Sequence, residues 1–174
     1  IITGLVGSEM CIRDSFDVDL PVQSPEPTTD PDWTLRISAS SRSGQDLDNT
    51  LGVSEHGLQV LDDLDIPEPP TFGELSLHFV SEASGERQLR LSREIKPQLK
   101  DGESWQIVVE APVGESVTLS VDQLENLPQT LDIRLEDELL AISTDLRQRS
   151  TYVFAVTEQQ DRQRFRIHVG SKAY

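Results

Sequence analysis

Apolar and polar residues alternate along much of the chain after residue 32, and this two-residue period is typical of half-buried β-strands. The clearest example is the segment 104–121, where two alternating runs flank a Pro-Val-Gly-Glu turn sequence. The apolar positions of the two runs are Trp105, Ile107, Val109, Val117, Leu119 and Val121. Proline presets φ for a turn, and antiparallel strands need only a short connection. The pattern therefore predicts an antiparallel hairpin across 104–121.

The rest of the chain follows the same pattern, with turn residues between the apolar runs. Further strands are predicted over 33–39, 74–80, 88–95, 130–136, 138–143, 150–157 and 163–169, the last two as a hairpin. Residues 38–73 are rich in Ser, Asp, Asn, Gly and Pro and predict a long loop, while 122–128 is interpreted as one helical or 3₁₀ turn. About eight to nine strands without a sustained helical period favour an all-β fold. We predict an immunoglobulin-like antiparallel β-sandwich, with a jelly roll as the alternative.

The first residues do not fit this pattern. Residues 5–15 look like the conceptual translation of a transposase-based sequencing adapter, because every codon from Leu5 to Asp14 fits it. A signal-peptide remnant is a poorer interpretation, since Glu9 interrupts a short apolar run. We therefore predict that 1–15 is a non-native segment, and that the chain is a metagenomic fragment whose true start is missing. Residues 16–32 contain four prolines in an acidic context and predict a linker. This leaves a single β-sandwich domain over 33–170, and 171–174 as the start of a truncated C-terminal linker.

Setting 1–15 aside changes the composition. Cys11 and Met10 are the only cysteine and methionine, so 16–174 offers no disulfide or thiolate ligand. Without Glu9, Asp14 and Arg13, the 31 acidic and 15 basic residues become 29 and 14, a net charge of −15. Such acidity argues against nucleic acid and anionic membranes as partners. The sequence contains no run of about 20 apolar residues, the pattern that predicts a membrane-spanning segment. The chain is long enough to form one domain with a buried core. We expect this domain to be monomeric.

Carboxylates concentrated in 38–73 are the candidate metal ligands. Hard oxygen ligands suit Ca²⁺, and the predicted set is Asp46, Asp48, Asp62, Asp63 and Asp65. The run Asp-Leu-Asp-Asn at 46–49 lacks the glycine and terminal glutamate of a calcium-loop signature. The alternative is a solvated acidic loop in which Asp and Asn side chains cap turns. No other cofactor is expected.

No catalytic motif accompanies these carboxylates. His56, His78 and His168 lack the spacing of a zinc site, and we interpret all three as solvated surface residues. A Gly-x-Ser-x-Gly elbow is also absent from the sequence, so we predict that the chain is not an enzyme. Arg164 and Arg166 share one predicted strand face with His168. That basic face is predicted to be solvated, or to dock an acidic partner or the chain's own acidic loop.

The two tryptophans distinguish between two kinds of protein. Trp33 and Trp105 begin alternating apolar runs, which predicts core positions. The alternative is a sugar-stacking platform. Buried tryptophans favour a non-binding domain, whereas exposed and coplanar ones favour a carbohydrate-binding module.

Short motifs lie in one order along the chain, at 33–39, 48–49, 51–53, 61–62, 65–70, 91–95, 105 and 165–170. Together they resemble a β-rich module of large secreted bacterial proteins, which precedes a C-terminal sorting domain of the type IX secretion kind. The resemblance implies an extracellular or cell-surface location, with the flanking domains of the same polypeptide as partners. It brings no catalytic residues to this chain.

Three functions are compatible with these observations. The first is a non-catalytic accessory or spacer module of a larger secreted or cell-surface bacterial protein. The second is a carbohydrate- or Ca²⁺-dependent adhesion module that uses the 38–73 loop to bind a polysaccharide or a surface protein. The third is a fragment of a secreted hydrolase whose active site lies elsewhere.

Overall fold

A computed structural model describes residues 31–70, 75–81, 88–98, 102–158 and 164–171. These residues form eleven strands and no helix. The described part of the chain therefore contains no helix that is long and apolar enough to cross a membrane. The strands are β1 Trp33–Ser40, β2 Gln45–Ser54, β3 Ile66–Pro67, β4 Ser76–Ser81, β5 Leu89–Pro97, β6 Gly102–Glu110, β7 Ser116–Glu125, β8 Leu131–Asp137, β9 Ile142–Asp145, β10 Thr151–Ala155 and β11 Phe165–Ser171. The all-β prediction is confirmed. The predictions for 1–15, for most of 16–32 and for 172–174 lie outside the described residues.

The strands belong to one hydrogen-bonded sheet that curls until it is nearly closed. Their order is β10-β7-β1-β2-β5-β4-β6-β11-β8-β9, with β3 added beside β5, and the β2–β5 pair is parallel. The two edge strands, β9 and β10, are consecutive in the chain and joined only by 146–150. This connection is held at both ends of the sheet, because Leu146 N donates to Ile133 O of β8 and Val121 N of β7 donates to Ser150 O. A sandwich of about eight to nine strands is not confirmed.

Both predicted hairpins that involve β6, β7, β10 and β11 are wrong. β6 pairs with β4 and β11, whereas β7 pairs with β1 and β10. The predicted turn does form, since Glu115 N donates to Pro112 O at 3.2 Å, but it connects distant parts of the sheet. β10 and β11 are likewise not neighbours. Alternation indicates which side of a strand is buried, and carries no information about which strand lies beside it.

The predicted long loop at 38–73 is also wrong, because it contains β2 in the middle of the sheet, as well as β3. Asp and Asn are poor strand formers, which hid β2 in the sequence. Burial overrides this preference: Leu51 and Asn49 are fully buried, and the Asn49 amide donates to Asp46 Oδ1 at 2.6 Å. Residues 122–128 are not a helical turn either. β7 extends to Glu125, and Asn126 follows it with a positive φ of 56°.

The core confirms the prediction for both tryptophans. Trp105 is fully buried and Trp33 is 6% exposed, and their rings meet edge to face with centroids 5.7 Å apart. Phe79 and Phe165 are also fully buried in this cluster. Gly52 allows β1 and β2 to approach closely here, because a Cβ at this position would lie 2.5 Å from Trp33 O.

Candidate functional site

Two of the predicted calcium ligands, Asp62 and Asp65, organise a turn. Both oxygens of Asp62 accept backbone N–H groups, from Leu64 and Leu58, each at 2.7 Å. Asp65 accepts from Asp62 N at 3.2 Å and from Ile95 N of β5 at 2.9 Å. Burial raises the pKa of Asp65, although these backbone hydrogen bonds oppose the shift. Both carboxylates therefore cap turns, and Asp65 also fixes the turn to the sheet.

Asp46 and Asp48 lie elsewhere, along a groove of about 490 Å³ that Glu68 also borders. Both oxygens of Asp46 are engaged, one by the Asn49 amide and the other by Leu77 N of β4 at 2.8 Å. Asp48 is exposed. The pKa of Glu68 is raised to about 7, first by burial and then by the nearby charge of Asp46.

The structure therefore divides the five predicted ligands between two places. Asp62 and Asp65 lie in the turn before β3, where Asp63 is exposed, whereas Asp46 and Asp48 lie on β2. Among the described residues, no group of three or more His, Cys, Asp or Glu side chains is arranged to hold a metal ion. Three of the five carboxylates are used as hydrogen-bond acceptors within the fold. The Ca²⁺ site stays a prediction.

A different polar site lies where β5 changes partners. β5 pairs with β4 as far as Leu91, and from Arg93 onward it pairs with β2. A cavity of about 320 Å³ opens beside the second half of β5, and we name it the polar cleft. Its walls are Gln59, Val80, Ser81, Glu94, Lys96, Ser104, Gln106 and Arg166. Four strands, β4, β5, β6 and β11, thus contribute to one small concave surface.

Glu94 is the buried acid of the polar cleft, only 5% exposed. Its Oε1 lies 3.8 Å from Lys96 Nζ, and its Oε2 has no hydrogen-bond partner among the described residues. Burial raises the pKa of Glu94 to about 7, although the charge of Lys96 and a hydrogen bond with the Ser81 side chain oppose the shift. Lys96 is itself held in place, because Nζ donates to Ser104 O at 2.6 Å and lies 5.4 Å from the Trp105 ring centroid.

Arg166 occupies another wall of the polar cleft. One terminal nitrogen lies 3.1 Å from Glu138 Oε1 and donates to Gln106 Oε1 at 3.0 Å. Its Nε is buried without a hydrogen-bond partner in the described part of the chain. Gln59 Nε2 donates to Glu103 Oε1 at 3.4 Å. The ionic groups around the cleft are therefore paired, while two buried polar atoms, Glu94 Oε2 and Arg166 Nε, remain unpaired.

Arg164, which immediately precedes β11, and His168 of β11 face acidic residues at the end of β8. Arg164 Nε donates to Asp137 Oδ1 at 2.9 Å and its Nη2 donates to Oδ2 at 2.5 Å, with Tyr152 Oη donating to Oδ2 at 2.8 Å. His168 lies 3.1 Å from Glu136 Oε2. These pairs are with the end of β8 and the residue after it, so docking on the acidic loop 38–73 is not what the structure shows, and Arg164 is buried instead of solvated.

Charge pairing determines how Asp137 titrates. Burial alone would raise its pKa, but the hydrogen bonds from Arg164 and Tyr152 outweigh it, so the pKa is lowered. The pKa of Tyr152 is raised to about 12 by burial and by the hydrogen bond to Asp137. This cluster is buried within the fold and serves as a structural ion pair.

The interpretation of His78 as a surface residue is wrong. It is 2% exposed, and its Nε2 accepts a hydrogen bond from Arg90 Nε at 3.0 Å. Burial, followed by the charge of Arg90, lowers its pKa to about 4, so His78 is neutral near pH 7. His56 is exposed, as expected, beside Glu55.

Arg166 was expected on a basic strand face, but no pattern in the sequence places Glu94 in a site with it. Glu94 is part of an alternating run, in which every second residue is expected to face solvent. Glu94 and Ile95 are nevertheless both buried, because this half of β5 is covered on both sides. No signal in the sequence marks that covering.

Comparisons with protein-family models, curated proteins and solved structures find no match to this chain.

Proposed function

We propose that this domain is a non-catalytic accessory or spacer module of a larger secreted or cell-surface bacterial protein. Its partners are the flanking domains of the same polypeptide, and it is monomeric as a domain. The observation that carries this proposal is the burial of both tryptophans. With Trp33 and Trp105 packed edge to face in the core, neither ring is available to stack on a sugar.

The polar side chains also support an accessory function. Arg164 and Asp137 satisfy each other in the interior, and Asp46, Asp62 and Asp65 accept hydrogen bonds from the fold itself. A catalytic acid or nucleophile has to face a substrate. These groups instead form hydrogen bonds that hold strands and turns together.

At finer detail, we propose that the curled sheet is an immunoglobulin-like sandwich with two packed layers. One layer would contain β10, β7, β1 and β2, and the other β4, β6, β11, β8 and β9, with β5 passing between them. Two aromatic contacts support this division. Trp33 of β1 meets Trp105 of β6, and Phe154 of β10 meets Phe165 of β11 with centroids 4.6 Å apart.

Export through a type IX secretion system tests the proposal. The 174-residue chain, joined to a type IX sorting tail, should reach the cell surface as a folded domain that resists protease. A Trp105→Ala variant is the matched control, since loss of the core should give a protease-sensitive product. Retention of the folded chain inside the cell would contradict the secreted assignment.

The absence of catalysis is tested separately on the purified chain with chromogenic glycosides, esters and peptides. We expect no turnover above the level of a heat-unfolded sample. Turnover that a single substitution abolishes would favour the hydrolase alternative and overturn the accessory assignment.

A further inference from the structure

We propose that residues 55–65, between β2 and β3, form a pH-dependent cover beside the polar cleft, which stays attached while Glu94 is protonated and loosens as Glu94 ionises. We name these residues the 55–65 cover. A conformational response to pH goes beyond the function of a spacer. It follows from the contacts that attach the cover to the sheet and from the charges that surround these contacts.

Side-chain hydrogen bonds attach the 55–65 cover to two strands of the sheet. Asp65 Oδ1 accepts a hydrogen bond from Ile95 N of β5 at 2.9 Å. Gln59 Nε2 donates to Glu103 Oε1 of β6 at 3.4 Å, and Gln59 also lines the polar cleft. Each attachment involves a carboxylate, so the strength of both depends on the charge around them.

Apolar packing contributes little to this attachment. Gly57 contacts the backbone of β5, because a Cβ at this position would lie 2.8 Å from Lys96 O. Three of the four large apolar side chains of the cover are nevertheless exposed, namely Leu58, Val60 and Leu61. A segment that buries few apolar side chains can open locally while the core stays folded.

Glu94 lies where the 55–65 cover meets β5. It directly precedes Ile95, whose N–H group donates to Asp65, and its side chain is buried in the wall of the polar cleft. Burial is the main effect that disfavours the ionised form of Glu94, and the negative charges of Asp65 and Glu103 add to it. These two carboxylates are the ones that attach the cover. Ionisation of Glu94 therefore adds a third negative charge beside the attachment.

Other charged and polar groups limit this repulsion. Those around Glu94 and Asp65 include Lys96 and Arg93 of β5, Ser81 of β4 and Arg166 of β11. Lys96 Nζ lies 3.8 Å from Glu94 Oε1, but it also donates to Ser104 O. These groups do not cancel the repulsion, because burial and the two carboxylates still raise the pKa of Glu94 to about 7. Glu94 therefore changes its protonation state close to neutral pH.

Proton linkage gives the direction and the size of the pH effect. Opening of the cover admits water to Glu94, so the pKa of this group moves from about 7 towards its ordinary value of 4.5. The open form then binds fewer protons than the closed form, and opening becomes more favourable as pH rises. If the pKa returned fully to 4.5, the opening equilibrium would increase about tenfold between pH 6 and pH 8. The sheet also buries Glu94, so we expect an increase of about three- to tenfold.

Amide hydrogen exchange of the 174-residue chain at pH 6 and pH 8 tests the proposal. The reporters are the N–H groups of Ile95, which donates to Asp65, and of Leu58 and Leu64, which donate to Asp62. Their protection factors should fall about three- to tenfold from pH 6 to pH 8. They should also be lower than those of core amides in β11, because local opening does not require unfolding of the core.

Two substitutions of acidic residues test the role of charge. Glu94→Gln retains the size of the side chain but cannot ionise, so the protection factors of the cover should agree within about twofold at the two pH values. Glu103→Gln retains a carbonyl acceptor for Gln59 and removes one of the two repelling charges. It should therefore reduce the change between pH 6 and pH 8, and it tests the proposal independently of the buried position.

Two control variants should keep the pH dependence of the wild type. Glu68→Gln makes the same chemical change in the other groove, at a carboxyl group whose pKa is also raised to about 7. His56→Gln removes the histidine of the cover, which is exposed beside Glu55. The amide spectrum of each variant checks that it is folded.

Three results would overturn the proposal. The first is a wild-type cover whose protection factors do not change between pH 6 and pH 8. The second is a pH dependence that persists unchanged in Glu94→Gln and in Glu103→Gln, or that disappears in His56→Gln or Glu68→Gln. The third is exchange of the cover amides only together with the core amides. The accessory assignment is tested separately, by the export experiment.

Discussion

Replacing Arg164 by methionine should lower the free energy of unfolding by about 3–5 kcal/mol, the usual cost of breaking a buried ion pair. The guanidinium makes two hydrogen bonds to Asp137, and the two side chains are 6% and 0% exposed. Methionine retains an apolar stem beside Phe154 and Phe165, whose ring centroids lie 4.7 and 5.0 Å from the Arg164 Cζ. The loss is therefore mainly that of the charge partner. Asp137 keeps Tyr152 and the N–H groups of the following turn, which places the cost towards the lower value.

A second substitution separates charge from packing. Asp137→Asn alone should be destabilising, because it leaves the guanidinium of Arg164 buried without an anion. In the Arg164→Met background the same change removes an uncompensated charge, so it should cost at least about 1 kcal/mol less than in the wild type.

Acidification tests the direction of the Asp137 pKa shift and how the stability of the protein depends on it. The lowered pKa of Asp137 in the folded wild type contributes stability that is present above its unfolded value of about 3.9 and is lost as pH falls through the folded pKa. Without Arg164, burial should raise that pKa, so the penalty is largest at neutral pH and shrinks as pH falls. The difference in stability between wild type and Arg164→Met should therefore narrow from pH 7 towards about pH 4.

Urea unfolding followed by the fluorescence of the two buried tryptophans measures these differences. Arg134→Met is the matched control, because its ion pair with Asp132 spans 3.7 Å and the Arg134 side chain is 49% exposed. That exposed pair should contribute less than about 1 kcal/mol. The reasoning is refuted if Arg164→Met costs no more than the control, or if the difference widens on acidification.

Four further outcomes are expected. Trp105→Ala should cost about 3–5 kcal/mol in urea unfolding, and a loss below about 1 kcal/mol would contradict its core position. Gly52→Ala should cost about 1–3 kcal/mol in the same assay, because its Cβ would meet Trp33 O at 2.5 Å, and an unchanged midpoint would be the contrary result. The raised pKa of Glu94 contributes stability to the folded state that is lost as pH rises from 4.5 through about 7. The Glu94→Gln variant should therefore gain stability relative to the wild type over this pH range. Parallel pH profiles of the two melting temperatures would contradict this expectation. Thermal melts in Ca²⁺, Mg²⁺ or chelator at matched ionic strength should show no Ca²⁺-specific shift. A bound ion at 100 times its Kd would add about 2.7 kcal/mol, and a shift abolished by Asp65→Asn would instead establish the predicted site.

The sequence by itself determined the fold class and much of the core. Strand alternation is a local property, since successive side chains of one strand point to opposite faces whatever lies beside it. For this reason Trp33, Leu35 and Ile37, like Trp105 and Ile107, are buried as predicted. The candidate carboxylates could also be identified from the sequence, because they lie close together in the chain. The hydrogen bonds that they accept could not be predicted, since the donors to Asp46 and Asp65 include Leu77 and Ile95, about thirty residues away.

Only the tertiary structure decided which strands are neighbours and which polar groups share a site. β6 and β7 follow each other through a turn and yet pair with different strands, because closure of the sheet depends on the whole chain. β2 is a strand despite its Asp and Asn residues, since strands on both sides and the buried core compensate for their low preference. Glu94 and Arg166 are 72 positions apart in the chain and line the same cavity, beside the half of β5 that has left β4 to pair with β2. A local pattern cannot specify such a meeting, because long-range strand pairing creates it.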